Sequence, residues 1–184
     1  MPIAQPAHAP NAYRIFATTC VALAVLVMMA ASALAAPKPD LWARWDKHDA
    51  ASTARIDHAE WSRLIAAYGW PSGSAVKLFA YGNVTKPDRA ALESYVAKLE
   101  ATPISTFNRR EQFAYWANFY NALTVKVILD HYPVASIRDI DITPGFFADG
   151  PWGAKLATVE GKKIALDDIE NRILRPIWKD PRIH

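Results

Sequence analysis

The segment 108–131 constrains the fold of this chain more than any other stretch. Asn108, with Glu111 three positions later, forms a capping-box pattern for the start of a helix. Pro133 ends that helix, because proline cannot continue it. Between these signals, apolar residues recur at steps of three and four, which is the spacing of a buried helical face. The predicted inner face consists of Phe113, Trp116, Ala117, Tyr120, Leu123, Thr124, Val127 and Ile128.

A second stripe on the same helix is also mostly apolar and consists of Ala114, Asn118, Asn121 and Val125. A helix that is apolar on two sides is surrounded by protein. Asn118 and Asn121 lie about one turn apart and therefore face the same way. A buried amide without a partner costs about 1–3 kcal/mol, so we expect both amides to meet polar groups and Asn121→Leu to destabilise the domain. Two interpretations remain: the amides bridge the helix to a loop, or they line a pocket and orient a substrate or a catalytic histidine.

The remaining patterns predict an α+β fold with a mainly helical N-terminal half around the buried central helix. A helix is expected over residues 87–100, with Pro87 at its first turn. A small antiparallel hairpin is expected from strands over 155–159 and 163–166. Asp167, with Glu170 three positions later, is expected to cap a further helix.

The first 35 residues have the pattern of a secretory signal peptide. Residues 15–36 carry no charge, and Ala33-Leu34-Ala35 is a small-x-small cleavage pattern. We therefore predict cleavage after Ala35, a single domain over 36–184, and a periplasmic or secreted protein. The alternative is an uncleaved inner-membrane anchor, because the uncharged run is just long enough to span a bilayer. In that case the N-terminal segment would be the only contact with the membrane.

Length and charge limit the classes of partner. The 184 residues, 52% hydrophobic and 21% charged, suit one globular domain with its own core and a terminal segment. The formal charge of +3 is too small to favour nucleic acid or an acidic membrane surface. The sequence indicates no particular partner.

Common nucleophile and metal motifs are missing from the sequence. The one cysteine, Cys20, lies in the predicted signal peptide, so residues 36–184 can form neither a disulfide nor a thiol site. The five histidines lack zinc-site spacing, and the seven glycines are scattered rather than gathered in a phosphate-binding loop. We therefore predict no metal and no cofactor.

Four motifs follow one another in the second half of the chain. They are residues 111–124 (EQFAYWANFYNALT), 131–133 together with 136–140, 161–170, and 180–184 (DPRIH). In this order and spacing they resemble the family catalogued as domain of unknown function 547 (DUF547). The resemblance covers the chain from about residue 92 to the end and, less distinctively, the region from residue 40.

The resemblance implies an exported bacterial protein whose activity is not established. In the family, the Asp-Pro-Arg-Ile-His run continues into a cysteine-bearing segment, which by analogy suggests a papain-like or transglutaminase-like thiol hydrolase or transferase. In such a site His184 would be the base, and Asn118 or Asn121 would orient it. Because the sequence stops at His184, we expect a C-terminally incomplete domain that is inactive alone. The alternative is a non-catalytic cell-envelope module that binds a peptide, a glycan or a partner protein, and the sequence leaves open whether the protein is an enzyme.

Overall fold

A long central helix organises the fold, as the sequence predicted. The computed structural model describes residues 40–71, 77–145 and 149–183. Helix α1 (Ala59–Tyr68) packs against helix α2 (Lys86–Glu100), and α2 packs against the central helix α3 (Arg109–His131). On another side, α3 contacts a π-helix (Asp168–Leu174), which continues into the short helix α4 (Arg175–Trp178).

Two antiparallel hairpins accompany the helices, so the α+β class is confirmed. Strand β3 (Ala157–Val159) pairs with β4 (Lys162–Ile164) and contacts α2, close to the predicted positions. The turn between them has positive φ at Glu160 (45°) and Gly161 (74°). Two-residue hairpin turns of this kind require positive φ at both central residues. The other hairpin, β1 (Gly69–Pro71) with β2 (Lys77–Phe79), lies in the N-terminal half.

Local capping sets both ends of the central helix. The side chain of Asn108 accepts hydrogen bonds from the backbone N–H groups of Arg110 and Glu111, at 3.1 and 3.0 Å. The predicted cap therefore forms, but Glu111 does not return the bond. Its carboxylate is buried and instead accepts hydrogen bonds from the Arg55 guanidinium and from the backbone N–H of Ile56. A contact across the fold thus replaces half of the capping box.

The central helix is enclosed by protein, but the predicted face is wrong in part. Among the described residues, its buried side chains are Glu111, Gln112, Tyr115, Trp116, Phe119, Ala122, Leu123, Val125, Val127 and Leu129. The other predicted inner residues, Phe113, Ala117, Tyr120, Thr124 and Ile128, are half-buried. Because apolar side chains surround most of this helix, the periodicity could not select the face that meets the core. The buried face joins one hydrophobic cluster that also contains Leu99, Val159, Ile169 and Ile173.

The predicted signal peptide lies outside the described residues. Residues 39–184 form one compact unit. Among the described residues, no helix is both long and apolar enough to cross a bilayer.

Candidate functional site

An open cleft of about 290 Å³ lies beside the central helix. One wall is a face of α3, another is the π-helix, and the third comes from residues 182 and 183. Of the described residues, four apolar and four polar side chains line it: Phe113, Ala117, Leu174 and Ile183, with Tyr120, Asn121, Glu170 and Arg182. Its volume is near the lower end of the range for small-ligand sites, about 300–1,000 Å³.

The α3 wall is a half-buried face of the helix, and its residues Phe113 and Tyr120 also pack against the core cluster. Its four lining residues lie at positions i, i+4, i+7 and i+8, which share one helical face. Phe113 at one end also contacts Trp178 of α4, with ring centroids 5.5 Å apart in an edge-to-face arrangement. Helix α4 therefore supports this end of the wall.

Asn121 is exposed on the cleft wall, which corrects the prediction that it is buried. Within the described residues its amide makes no hydrogen bond to another protein group. The destabilisation expected for Asn121→Leu rested on that burial and no longer follows. Asn118 is half-buried and does not belong to the wall, so the two amides do not share one recess. His184 lies outside the described residues, but its neighbour Ile183 lines the cleft.

The π-helix brings Glu170 and Leu174 to the cleft. Such helices are rare and occur frequently at functional sites, where the widened turn re-aims side chains. The predicted capping box of Asp167 and Glu170 is wrong, because the Asp167 side chain makes no capping hydrogen bond. Glu170 is therefore not used as a cap and extends to the cleft instead.

Asp168 holds the start of the π-helix in place. Its carboxylate is buried and accepts hydrogen bonds from Lys155 Nζ at 2.5 Å, from the Ala165 backbone N–H at 2.9 Å and from Arg172 Nη1 at 3.2 Å. Burial alone would raise the pKa of Asp168, but these donors outweigh it and hold the pKa below its usual range. The carboxylate is therefore charged at neutral pH and accepts three hydrogen bonds.

Tyr120 and Glu170 connect the two walls across the cleft. The Tyr120 hydroxyl donates a hydrogen bond to Glu170 Oε2 over 3.2 Å. Burial raises the pKa of Tyr120, and the negative charge of Glu170 raises it further. Tyr120 therefore remains a protonated donor that orients the Glu170 carboxylate.

Arg182 closes the third wall while paired with its own neighbour. Its Nε and Nη2 donate to the Asp180 carboxylate, with the shortest contact at 2.5 Å. These bonds lower the pKa of Asp180 to about 2. The Arg182 guanidinium is therefore paired with Asp180.

Sequence reasoning missed three polar residues of this cleft, namely Tyr120, Glu170 and Arg182. Tyr120 was assigned to the core and Glu170 to a cap. The available signal was their position in the motifs, since the segments 111–124, 161–170 and 180–184 each supply part of the wall.

Among the described residues, no three His, Cys, Asp or Glu side chains lie together in a way that could hold a metal ion.

Comparison with known proteins gives one match. The sequence model of the family described as "Protein of unknown function, DUF547" matches residues 104–184, and every residue that lines the cleft falls in this range. No curated protein and no solved structure matches the chain. Over the segment 104–184, the chain is therefore similar to the DUF547 family.

Proposed function

We propose that the protein is a cell-envelope binding module that holds a short peptide-like ligand in the cleft beside α3. The observation that carries this proposal is the side-chain amide of Asn121, which lies on the cleft wall with no hydrogen-bond partner in the described part of the chain. A free carboxamide offers two donors and one acceptor, which match the acceptor and donor of a peptide group.

The composition of the cleft supports the same ligand class. Phe113, Leu174 and Ile183 provide apolar surface for a side chain, beside polar groups that can orient the backbone of a ligand. Small-ligand sites typically combine such apolar surface with polar groups that fix the orientation of the ligand. The volume of about 290 Å³ accommodates a small peptide fragment rather than a folded partner.

Titration with leucyl-alanyl amide by isothermal titration calorimetry tests the proposal. We expect saturable binding, weakened about tenfold in Asn121→Leu because one or two hydrogen bonds are lost. The matched control is Asn83→Leu, an exposed asparagine in the turn Tyr81–Asn83 that does not line the cleft. Both variants should melt like the parent protein, because both side chains are exposed. Absence of binding, or equal binding by both variants, would overturn the proposal.

A second function, thiol hydrolysis or transfer, is supported by the position of His184 directly after the cleft residue Ile183. In that function His184 is the base and Asn121 or Asn118 orients it, while a cysteine supplies the nucleophile. The thiol step requires a cysteine thiolate, and Cys20 is the single cysteine of residues 1–184.

A relative that carries the cysteine segment tests the second function. Alanine in place of the histidine that matches His184 should slow alkylation of that cysteine by iodoacetamide at neutral pH, because the thiolate loses its base. Unchanged alkylation would refute the thiol mechanism.

We also propose that the protein is exported, on the strength of the signal-peptide pattern in residues 1–35. N-terminal sequencing of protein from a periplasmic fraction should begin at Ala36. Recovery in the membrane fraction with residues 1–35 intact would favour the anchored form instead.

A further inference from the structure

Building on the proposed binding function, we propose that the ligand carries a primary ammonium group and that Glu170 binds it. The group could be the amino terminus of a peptide or the side chain of a lysine-like residue, since both present the same –NH₃⁺ chemistry. Glu170 would then determine which peptides the cleft accepts.

Within the part of the chain that the structure describes, Glu170 is a carboxylate without a cationic partner. Its side chain lines the cleft and accepts one hydrogen bond, from the Tyr120 hydroxyl at 3.2 Å. Across the described ranges it forms no ion pair with a lysine, arginine or histidine. A carboxylate has about four acceptor positions, so most of its capacity remains for a ligand.

The nearby cations are already engaged. Lys155 pairs with Asp168 at 2.5 Å, and Arg172 pairs with Asp168 at 3.2 Å. Arg182, the one cation among the described residues that line the cleft, pairs with Asp180 at 2.5 Å. Among the described residues, these cations pair with other carboxylates and leave Glu170 available for a ligand.

The behaviour of a neighbouring acid is consistent with a negative potential here. Burial raises the pKa of Asp167, and the negative charges of Glu170 and Asp168 raise it further. A cation placed at Glu170 would relieve this repulsion, whereas an anion would increase it.

The shape of the site favours a compact ammonium on an apolar ligand. Apolar side chains line the cleft together with the Glu170 carboxylate. Leu174 lies about one helical turn after Glu170, and Phe113 lies on the α3 wall. Such surface can hold the carbon chain next to an ammonium, while the free amide of Asn121 can meet an adjacent peptide group. One ligand can therefore use both polar groups.

Three probes separate the possible sources of the amine: leucyl-alanyl amide, its N-acetylated form, and Nα-acetyl-lysine amide, which keeps its side-chain ammonium. We expect the free dipeptide amide to bind about tenfold more tightly than its acetylated form, since a charge-assisted hydrogen bond is lost on acetylation. Comparable binding of N-acetyl-lysine amide would assign the ammonium to a side chain. Weak binding of that probe would assign it to the amino terminus.

The variant Glu170→Gln removes the charge but keeps an acceptor for Tyr120. It should bring the affinities of the free and acetylated dipeptides within about twofold of each other. The control Glu93→Gln changes an exposed carboxylate on α2 and should keep the preference. Equal binding of the acetylated and free dipeptides by the parent protein would overturn the ammonium proposal and leave peptide binding intact. Failure of every probe to bind would overturn both proposals.

Discussion

Replacement of Asp168 by alanine tests whether the start of the π-helix depends on one buried carboxylate. The side chain is 5% exposed and receives three hydrogen bonds. Ala165 is 1% exposed, so its N–H would lose its acceptor where water cannot replace it. An unsatisfied buried donor costs about 1–3 kcal/mol.

The two ion pairs contribute less than their distances suggest. The side chains of Lys155 and Arg172 are 48% and 39% exposed, so water can solvate both cations after the change. Half-exposed pairs of this kind contribute up to about 1 kcal/mol each. Together with the lost backbone bond, Asp168→Ala should lower the free energy of unfolding by about 2–4 kcal/mol.

Asp168→Asn separates the two contributions. Asparagine keeps an acceptor for the Ala165 N–H but removes the charge, so the loss should be about 1–2 kcal/mol. Urea unfolding followed by circular dichroism, with linear extrapolation to water, measures each value. The control is Glu93→Ala, which breaks a single exposed pair with Arg89 and should cost below about 1 kcal/mol. The reasoning is refuted if Asp168→Ala is no more destabilising than this control.

Two further predictions concern the helices. Asn108→Ala should lower the free energy of unfolding, measured in urea, by about 1–2 kcal/mol, because two N–H groups in the first turn lose their cap. A negligible decrease would show that water replaces the side chain. Burial lowers the pKa of His58, whose Nδ1 lies 2.6 Å from Tyr95 Oη. At a pH just below 6.5, the usual pKa of histidine, the unfolded chain therefore binds more protons than the folded chain. The free energy of unfolding should therefore fall as pH drops from about 6.5 toward 5, a trend that His58→Asn should flatten in melting curves and that an unchanged slope would contradict.

Elements with strong local signals could be predicted closely from the sequence. Helix α2 begins one residue from the predicted position. Helix α3 begins directly after its cap Asn108 and ends two residues before Pro133. The hairpin β3–β4 turns at the expected residues. These signals depend on groups a few positions apart, so they act in the same way wherever the segment lies in the fold.

The cleft could be predicted only in part. Asn121 was selected from its spacing and does line the cleft, although it is exposed rather than buried. Glu170 was assigned to a cap because Asp167 precedes it by three positions, a pattern that fits an ordinary α-helical start. A π-helix has no comparable signature in composition, so the direction of Glu170 could not be inferred from its neighbours.

The linear order of residues was sufficient to specify where the main helices and the second hairpin begin and end, because caps, prolines and turn residues act over a few positions. Packing was needed to select the buried face of α3, because the helix is apolar around most of its circumference and several rotations satisfy the pattern equally well. Packing also brought Asn121, Glu170 and Arg182, which are far apart in the chain, to one cleft. That meeting depends on contacts between distant elements, and no local rule encodes it.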